Sequence, residues 1–492
     1  MKKAIPLLVA LLFSACTDVL DREPLSSLTV GNFYKTESDI EKALNGVYAG
    51  TRDWPTPIYI YLSEVRSKNY IGVVHDAQRD WWDITAFEVK PEMTTLRNVW
   101  GSLYQMINRA NTLLEKIDGV PFRDEQVRAQ YKAEARFLRA YAYFQLVRLF
   151  GRVPLVTRTI TPEEGIQIGQ SEPAEIYEFI AREMSEVMDQ LPPDYPAAQK
   201  GRATRWAVKG VLAQVYLTMA GYPLHQRDKL ENARVLLREI IDQEGTYVTF
   251  APNYADLFTH ENDNKYALFE VQYVSGGVGA GGGFPAEIVP PELSPSIAPY
   301  GGIVSANRLA LSQDLLDAYE PGDLRFDVTI RTTYPTNTDP PGVGNTPFIH
   351  KFIDEGVVLA DRNDWPINFP LLRYADVLLM YAEVLAEQAG GPTPEAVALV
   401  NRIRARAGLP AINPTTKEEF DLALEHERRI EFVGEGVYWF DLVRRGRAVQ
   451  VMNEWFAATG QGIQIDEHHL VYPIPRSEMD IYPGLYQQNP GY

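Results

Sequence analysis

Apolar residues recur at helical spacing along much of this chain. In residues 97–117 they follow alternating steps of three and four: Trp100, Leu103, Ile107, Ala110, Leu114 and Ile117. This spacing predicts one apolar face of an amphipathic helix. A second stripe precedes the stop signals Gly151 and Pro154: Phe137, Ala140, Phe144 and Val147. We predict that the two helices form a hairpin.

Helical spacing returns at further places: about 173–191, 204–221, 228–243, 372–389, 394–407, 417–433 and 437–457. Helix pairs joined by short loops and repeated along a chain are typical of a solenoid. No strict repeat of about 34 residues is legible, so the repeat is degenerate. The predicted fold is mostly α: a tetratricopeptide-like helical-repeat scaffold with long irregular loop insertions and short strands.

Residues 244–370 are instead rich in Gly, Pro, Asn and Asp, which predicts irregular loops and short strands. The glycine cluster at 276–283 lacks a following Gly-Lys-Ser/Thr, so it predicts a flexible surface loop rather than a phosphate site. The predicted division of the chain has five parts: a signal peptide (1–15), a tether (16–36), N-terminal helical repeats (37–243), a loop-rich insertion (244–370) and a C-terminal helical part with an extended closing tail (371–492).

The N-terminus is typical of a secretory signal. Two lysines precede an apolar run that ends in Ser14-Ala15, directly before Cys16, the only cysteine of the chain. This arrangement resembles the lipobox of bacterial lipoproteins, which implies that the Cys16 thiol takes a diacylglycerol after cleavage. The alternative is an ordinary cleaved signal with an incidental cysteine. No other stretch is long and apolar enough to span a bilayer, so we expect an exported chain that is held by its lipid anchor.

Composition narrows the classes of partner. Hydrophobic residues make up 45% of the chain and aromatic residues 11%, enough for a sizeable core. With 47 basic and 65 acidic residues, the formal net charge is -18. An acidic body is a poor match for polyanions, so we expect no nucleic-acid partner. The body after Cys16 has no cysteine and therefore no disulfide.

The motifs of common enzymes and metal sites are missing from the sequence. There is no His-Glu-x-x-His, Gly-x-Ser-x-Gly, Walker motif or Cys/His cluster. The sequence therefore offers no motif for a catalytic residue, a metal or a cofactor, and we assign none. A glycoside hydrolase stays open as an alternative, since it needs only two well-placed carboxylates. Residues 260–270 offer oxygen ligands without the spacing of an EF-hand, so bound calcium also stays open.

Two C-terminal stretches resemble one known family. Residues 427–448, "ERRIEFVGEGVYWFDLVRRGRA", are similar to the signature "ERR.EF..EG.RWFDL.RWG" of the RagB/SusD family. Residues 471–492 are similar to the closing segment of that family, which ends in "QNPGY". The lipobox and the helical stretches stand in the order of the family, so the resemblance runs along nearly the whole chain.

The resemblance implies a role as well as a fold. Family members are surface-exposed outer-membrane lipoproteins that cover a SusC-like TonB-dependent transporter, bind nutrients and are not enzymes. We therefore expect a cell-surface protein that binds oligosaccharides or polysaccharide and delivers them to such a transporter. The alternatives are peptide binding, as in the RagB-like branch, and a helical scaffold that binds only protein. The identity of the glycan stays open, as does the stoichiometry with the transporter.

The two signature stretches are interpreted as scaffold. We expect Trp439, Phe440 and Leu442 to pack the last helices, and Asp441 to pair with an arginine. Gly434 and Gly436 permit the turn between helices. The prolines and glycines of residues 471–492 predict a non-helical, extended strap over the body.

Ligand binding is expected from aromatic residues in loops. One face of a sugar ring packs on a flat aromatic ring, while its hydroxyls need polar partners. Residues 75–85, "HDAQRDWWDIT", supply both, and the candidates there are Asp76, Arg79, Trp81 and Trp82. In the family, the loop before the helix near Trp100 often carries the stacking aromatic. One of the adjacent tryptophans can be core while the other faces outward. Further candidates are Tyr273 and Tyr300, whereas Trp54 fits a buried staple equally well.

Overall fold

The computed structural model describes residues 33–72, 80–260, 264–299 and 309–492, with the backbone alone for Trp81 and Leu309. Cys16, and with it the predicted signal and most of the predicted tether, lies outside the described residues. Helices dominate the described chain, which confirms the mostly α prediction. None of the described helices is both long and apolar enough to cross a bilayer.

The long helices of the described chain are α1 Glu37–Ala49, α2 Thr94–Lys116, α3 Glu125–Phe150, α4 Pro173–Val187, α5 Arg205–Ala220, α6 Lys229–Ile241, α7 Tyr374–Ala389, α8 Pro394–Arg406, α9 Lys417–Glu431, α10 Tyr438–Arg444 and α11 Ala448–Ala458. From α2 to α8, each helix packs against the next helix along the chain. This succession of paired neighbours is the arrangement predicted from the spacing.

Local sequence explains where these helices begin and end. Thr36 and Asp39 form a capping box at the start of α1, and Gly151, at φ +68°, ends α3. The helical pattern predicted near 437–457 is confirmed, but it comprises two helices, α10 and α11, because Gly446 adopts φ +69° between them. A left-handed residue interrupts the helical ladder, while the apolar spacing continues across the break.

Short strands form antiparallel pairs in the described chain: β1 Tyr70–Gly72 with β3 Leu309–Leu311, β2 Ala267–Val271 with β8 Phe369–Arg373, β4 Ile330–Arg331 with β7 Phe348–Ile349, and β5 Tyr334–Pro335 with β6 Val343–Gly344. In the first pair, Gly72 lies opposite Leu309. Gly72 and Leu309, which border two of the gaps in the described residues, therefore lie side by side.

Short helical segments complete the described structure. The longest of them is the buried π-helix Pro55–Glu64. The other α-helical segments are Asp80–Thr85, Pro162–Gly165, Phe284–Glu287, Gln313–Asp317, Phe326–Thr329 and Arg476–Ile481. The 3₁₀ turns are Gly50–Asp53, Ile117–Gly119, Met188–Gln190, Ala197–Gln199, Ala255–Phe258 and Glu467–Leu470.

The closing tail departs from its prediction at one place. Residues Arg476–Ile481 form a helix, although the tail was expected to have none. Pro475 lies just before the helix, where a proline costs no helical hydrogen bond, and the six helical residues contain neither Pro nor Gly. The tail does lie over the body: Asn489 donates from Nδ2 to the carbonyl of Phe150 (2.9 Å) and to that of Tyr472 (2.7 Å).

Glu431 is the centre of a buried charge network. Its carboxylate accepts hydrogen bonds from Arg325 (3.2 Å), Arg373 (2.9 Å) and Arg406 (2.6 Å). Burial acts to raise the pKa of Glu431, but the three arginines outweigh it and hold the pKa below its ordinary range. Glu431 is therefore ionised in the core and ties α9 to β8, to α8 and to the segment before Phe326–Thr329.

A second buried network surrounds Asp441. This carboxylate accepts from Arg428 Nε (2.6 Å) and Arg444 Nε (2.9 Å), which confirms that Asp441 pairs with arginine. Arg444 also binds Glu383 on α7 through two hydrogen bonds of 2.6 and 2.7 Å. The apolar residues expected to pack here are buried: Trp439, Phe440 and Leu442.

Glu64 connects the N-terminal part of the described chain to the turn at Gly434 and Gly436. Its buried carboxylate accepts from the backbone N–H groups of Gly434 and Gly436, each at 2.9 Å, and from Asn69 Nδ2 at 2.7 Å. Both glycines have positive φ, +82° and +72°, as the predicted turn requires. A Cβ at Gly436 would lie 2.7 Å from Tyr59 Cα, so only glycine fits.

Candidate functional site

Two adjoining surface depressions lie beside the π-helix Pro55–Glu64. The first has a volume of about 460 Å³, and its lining includes Arg52, Asp53, Thr56, Tyr273, Phe284, Glu287 and Asn363. The second has a volume of about 400 Å³ and is lined by Asp53, Pro57, Tyr61, Thr95, Asn98 and Ser102. Because Asp53 lines both depressions, they form one continuous surface, which we call the candidate binding surface.

The floor of this surface is held by a buried tryptophan. Trp54 is fully buried and packs against Tyr141, with 5.7 Å between ring centroids. It is therefore the buried staple, and its neighbours Arg52 and Asp53 in the turn Gly50–Asp53 lie at the surface. The burial of one large ring thus fixes the position of two adjacent charged residues.

A hydrogen bond joins the two depressions. The Tyr61 hydroxyl donates to Glu287 Oε2 at 2.8 Å. Tyr61 comes from the π-helix and lines the second depression, while Glu287 ends the short helix Phe284–Glu287 and lines the first. The surface therefore depends on residues that are far apart in sequence.

Tyr273 supplies an aromatic wall to the first depression. Its hydroxyl donates to the carbonyl of Arg52 at 2.7 Å, and its ring packs against Phe284 at 5.8 Å between centroids. Burial raises the pKa of Tyr273, so its phenol is neutral at physiological pH. The structure thus brings one of the sequence candidates to the candidate binding surface, in a fixed orientation.

Three polar side chains at this surface have no partner in the described parts of the chain. Neither Arg52 nor Asp53 nor Asn98 forms a side-chain hydrogen bond or ion pair with any described residue. Asp53 and Asn98 are also exposed to solvent. A guanidinium, a carboxylate and an amide are therefore available to donate to and accept from a ligand.

The short helix that carries Trp81 and Trp82 adjoins this surface through Asp80. Trp82 lies half-buried in the helix Asp80–Thr85, while the backbone alone is described for Trp81. In the same helix, Asp80 accepts from the hydroxyl of Thr95, a lining residue, at 3.4 Å. The remaining candidates, Asp76, Arg79 and Tyr300, lie outside the described residues.

The glycine cluster of residues 276–283 forms part of the wall. The Asp364 carboxylate accepts from the backbone N–H groups of Ala360 (2.9 Å), Gly276 (3.0 Å) and Gly277 (3.0 Å), and these bonds lower the pKa of Asp364. Those two glycine N–H groups are thus bound by a carboxylate and not left for a phosphate. A Cβ at Gly281 would lie 2.4 Å from Asp364 Cα, which explains why a glycine stands here.

One group of potential metal ligands occurs among the described residues: Asp466, His468 and His469. Their contacts are those of a helix start, since Asp466 accepts from the N–H of His468 at 3.0 Å and donates its own N–H to His469 Nδ1 at 3.1 Å. Internal hydrogen bonds therefore account for the cluster. The calcium alternative at residues 260–270 includes 261–263, which lie outside the described residues.

Comparison with known families decides the relationship. The model of a family described as "SusD family" matches residues 326–492. The model of a second family, described as "Starch-binding associating with outer membrane", matches residues 18–217. The chain belongs to the SusD/RagB family. The SusD/RagB signature predicted at residues 427–448 lies inside the first match.

Individual relatives within the SusD/RagB family extend along most of the chain. A SusD-like protein of Bacteroides ovatus is 28% identical over 88% of this chain and 80% of the relative. A SusD homologue from Bacteroides thetaiotaomicron has a TM-score of 0.79 at 25% identity, covering 94% of this chain and 98% of that one. A laminarin-binding SusD-like protein has a TM-score of 0.77 at 27% identity, and the match covers 93% of this chain and 100% of that protein.

Sequence reasoning missed most of the residues that line the surface. Arg52 and Asp53 directly precede Trp54 in "RDWPTPIYIY", where charge beside an aromatic was a usable signal. Asn98 and Ser102 lie on the polar side of a correctly predicted helix and look like ordinary solvent-facing residues. Glu287 gave no signal within its Gly/Pro-rich surroundings.

Proposed function

We propose that this SusD/RagB-family chain is an outer-membrane surface lipoprotein that binds oligosaccharide or polysaccharide without catalysis. It delivers the glycan to a SusC-like TonB-dependent transporter. The observation that carries the proposal is a set of three polar groups that no described residue pairs with, Arg52, Asp53 and Asn98, beside the fixed ring of Tyr273. The relatives support a glycan: one binds laminarin and one matching family is described as starch-binding.

The chemistry of the surface suits a sugar. A saccharide presents C–H groups that pack on an aromatic ring, and hydroxyls that both donate and accept hydrogen bonds. Asp53 accepts, Arg52 donates, and Asn98 does both, so the surface matches a ligand with mixed polarity. Because both depressions are open and adjoin, a chain of several sugar rings fits better than a single one.

The surface favours binding over hydrolysis. A glycosidase usually needs a general acid in an apolar environment that keeps it protonated, together with a second carboxylate. Asp53 is exposed, and Glu287 already accepts a hydrogen bond from Tyr61. These two carboxylates are arranged for ligand contact.

Calorimetric titration tests glycan binding. The soluble body, beginning after Cys16, is titrated with laminarin, soluble starch, inulin, xylan and a mixture of peptides. Saturable binding of one glycan, weakened in Trp82→Ala at an unchanged melting temperature, supports the proposal. Binding of peptides alone moves the chain to the RagB-like alternative. A large loss of stability in Trp82→Ala assigns that ring to the core.

The proposed lipid anchor and the proposed transporter partner are tested by fractionating cells that produce the protein. Cys16→Ala should release the protein from the outer membrane, and unchanged retention contradicts the lipoprotein proposal. The gently solubilised wild-type protein should co-purify with a large TonB-dependent barrel. Migration of the chain alone under every mild condition contradicts the proposed delivery.

A further inference from the structure

Tyr247 presents an aromatic face outside the candidate binding surface. Of the aromatic side chains in the described ranges, Tyr247 and Tyr482 are the two most exposed, at 45% and 48%. Tyr247 stacks on Trp206, with 5.8 Å between ring centroids and 29° between planes. Since one face of Tyr247 lies against Trp206, its opposite face is the one open to solvent.

The ring beneath Tyr247 is held in place. Trp206 lies in the first turn of α5 and is 8% exposed. Lys209 Nζ lies 5.6 Å from the centre of the Trp206 ring and donates to Glu239 at 2.6 Å. A stacked pair with a buried, fixed lower ring loses little freedom when a ligand packs on the upper ring.

Polar groups surround this aromatic pair. Both rings line a small depression of about 80 Å³ that also includes Lys200, Thr249 and Lys265, all exposed. A hydroxyl and two ammonium groups beside an exposed ring give the combination that a sugar needs, a stacking face with hydrogen-bond donors at its edge.

Helix α1 passes beside both this depression and the candidate binding surface. Arg202, which lines the depression, donates from Nη2 to Asn45 Oδ1 at 3.2 Å. Ala49 lies one helical turn after Asn45 and lines the candidate binding surface. The α1 residue that binds the lining of the depression and the α1 residue that lines the candidate binding surface are therefore about one helical turn apart.

The end of β2 gives a second connection. Gln272 packs against Gly201, where a Cβ would lie 2.5 Å from its Cδ, and Gly201 lines the small depression. The next residue, Tyr273, lines the candidate binding surface. Of these two consecutive residues, Gln272 thus contacts the lining of the small depression and Tyr273 lines the candidate binding surface.

We propose that Tyr247, backed by Trp206, is a second saccharide platform that extends the candidate binding surface, so that the ligand is a polysaccharide segment long enough to reach both. This inference rests on the proposed glycan function. The first surface holds a short oligosaccharide, and the Tyr247 platform binds rings further along the same polymer.

The test compares polymers with trisaccharides. Laminarin, soluble starch, inulin and xylan, and trisaccharides of the same linkages, are titrated against the wild type, Tyr247→Ala and Tyr247→Phe. Loss of one stacking contact should weaken polymer binding about three- to tenfold in Tyr247→Ala. Trisaccharide affinity should be unchanged, and Tyr247→Phe, which keeps the ring, should bind like the wild type. Tyr482→Ala, an equally exposed tyrosine in the closing tail, serves as the matched control.

Three other outcomes would contradict the proposal that Tyr247 is a second saccharide platform. Equal polymer affinity in Tyr247→Ala and the wild type rejects the platform and leaves the proposed function standing. An equal loss for polymer and trisaccharide rejects a separate platform, because Tyr247 would then belong to the first site. A wild-type protein that binds none of the glycans rejects the proposed function together with the platform.

Discussion

The charged groups around Glu431 and those at the candidate binding surface are of the same residue types in opposite circumstances. Glu431 is buried and accepts hydrogen bonds from three arginines. Arg52 and Asp53 lie at a surface, with no ion pair to any described residue. The comparison teaches that burial and partners, rather than residue type, separate scaffold from recognition in this protein.

The energetic reason is desolvation. A charge taken from water loses several kcal/mol of hydration, which close partners must offset. A charge that stays in water has no such requirement and can exchange water for ligand at little cost. Substitutions in the two regions should therefore differ in what they change: stability in the first, and affinity in the second.

Glu431→Ala should have the largest effect on stability. It leaves three buried arginines without their shared carboxylate, and we expect a loss of about 3–5 kcal/mol in the free energy of unfolding. Urea unfolding of the wild type and of Glu431→Ala measures this difference in the free energy of unfolding. Glu231→Ala is the control, because Glu231 pairs with Arg234 on the exposed side of α6 and should change little. A Glu431→Ala protein as stable as this control contradicts a structural role for the network.

Gly436→Ala and Gly446→Ala form a matched pair. Both glycines have positive φ, +72° and +69°, so either substitution strains the backbone. Only at Gly436 would the new Cβ also meet a backbone atom, Tyr59 Cα at 2.7 Å. We expect a loss of about 1 kcal/mol at Gly446 and about 3 kcal/mol at Gly436, measured by thermal or urea unfolding. Equal losses would show that the close approach to Tyr59 is relieved by a small backbone shift.

The pH dependence of stability should report on Glu383. Burial acts to raise its pKa, but Arg444 and Arg445 outweigh burial and hold the pKa below the ordinary value of 4.5. A lowered pKa in the folded state stabilises the protein above about pH 4.5, and that stabilisation is lost as the pH falls further. In Arg444→Met the lowering by Arg444 is removed, so the stability gap to the wild type should be constant from pH 7 to about pH 4.5 and should narrow as the pH falls below that value. A gap independent of pH contradicts this account.

Asp53→Asn should have the smallest effect on stability. The residue is exposed and unpaired among the described residues, so the free energy of unfolding should stay within about 0.5 kcal/mol of the wild type. The affinity for the bound glycan should fall about tenfold, because the substitution removes a charged acceptor. Titration calorimetry measures this, with Asp327→Asn as an exposed control away from the surface. Unchanged affinity would remove Asp53 from the site.

Periodicity predicted the helices well, since burial of one face leaves a record in the sequence. It did not predict the π-helix Pro55–Glu64, which is buried on nearly all sides and begins with two prolines among three residues. It also could not show the break at Gly446, because the apolar spacing runs on across it. The burial of one face of a helix produces a periodic sequence pattern and could be predicted. The local backbone conformation produces no such pattern and could not.

The candidate binding surface was harder to predict than the fold. Tyr273 was identified as an aromatic in a loop, and the structure places it in the wall of the first depression. Asp53, Asn98 and Glu287 were not identified, because each is an ordinary polar residue until the fold brings the three together. A site formed from the ends of separate elements leaves no local pattern at any one of them.

The hydrogen bonds of Glu64 have a consequence for how this protein is made. Its partner N–H groups lie 370 and 372 residues further along the chain. A chain that emerges N-terminus first cannot bury Glu64 among its native partners until residues 434 and 436 have been synthesised, and contacts so distant in sequence form slowly. The helices that hold Asp53 and Asn98 therefore cannot mature as an independent fragment. Truncation before residue 434 should yield an aggregation-prone product, so the part of the candidate binding surface that Asp53 and Asn98 form depends on the completed synthesis of the C-terminal part of the chain.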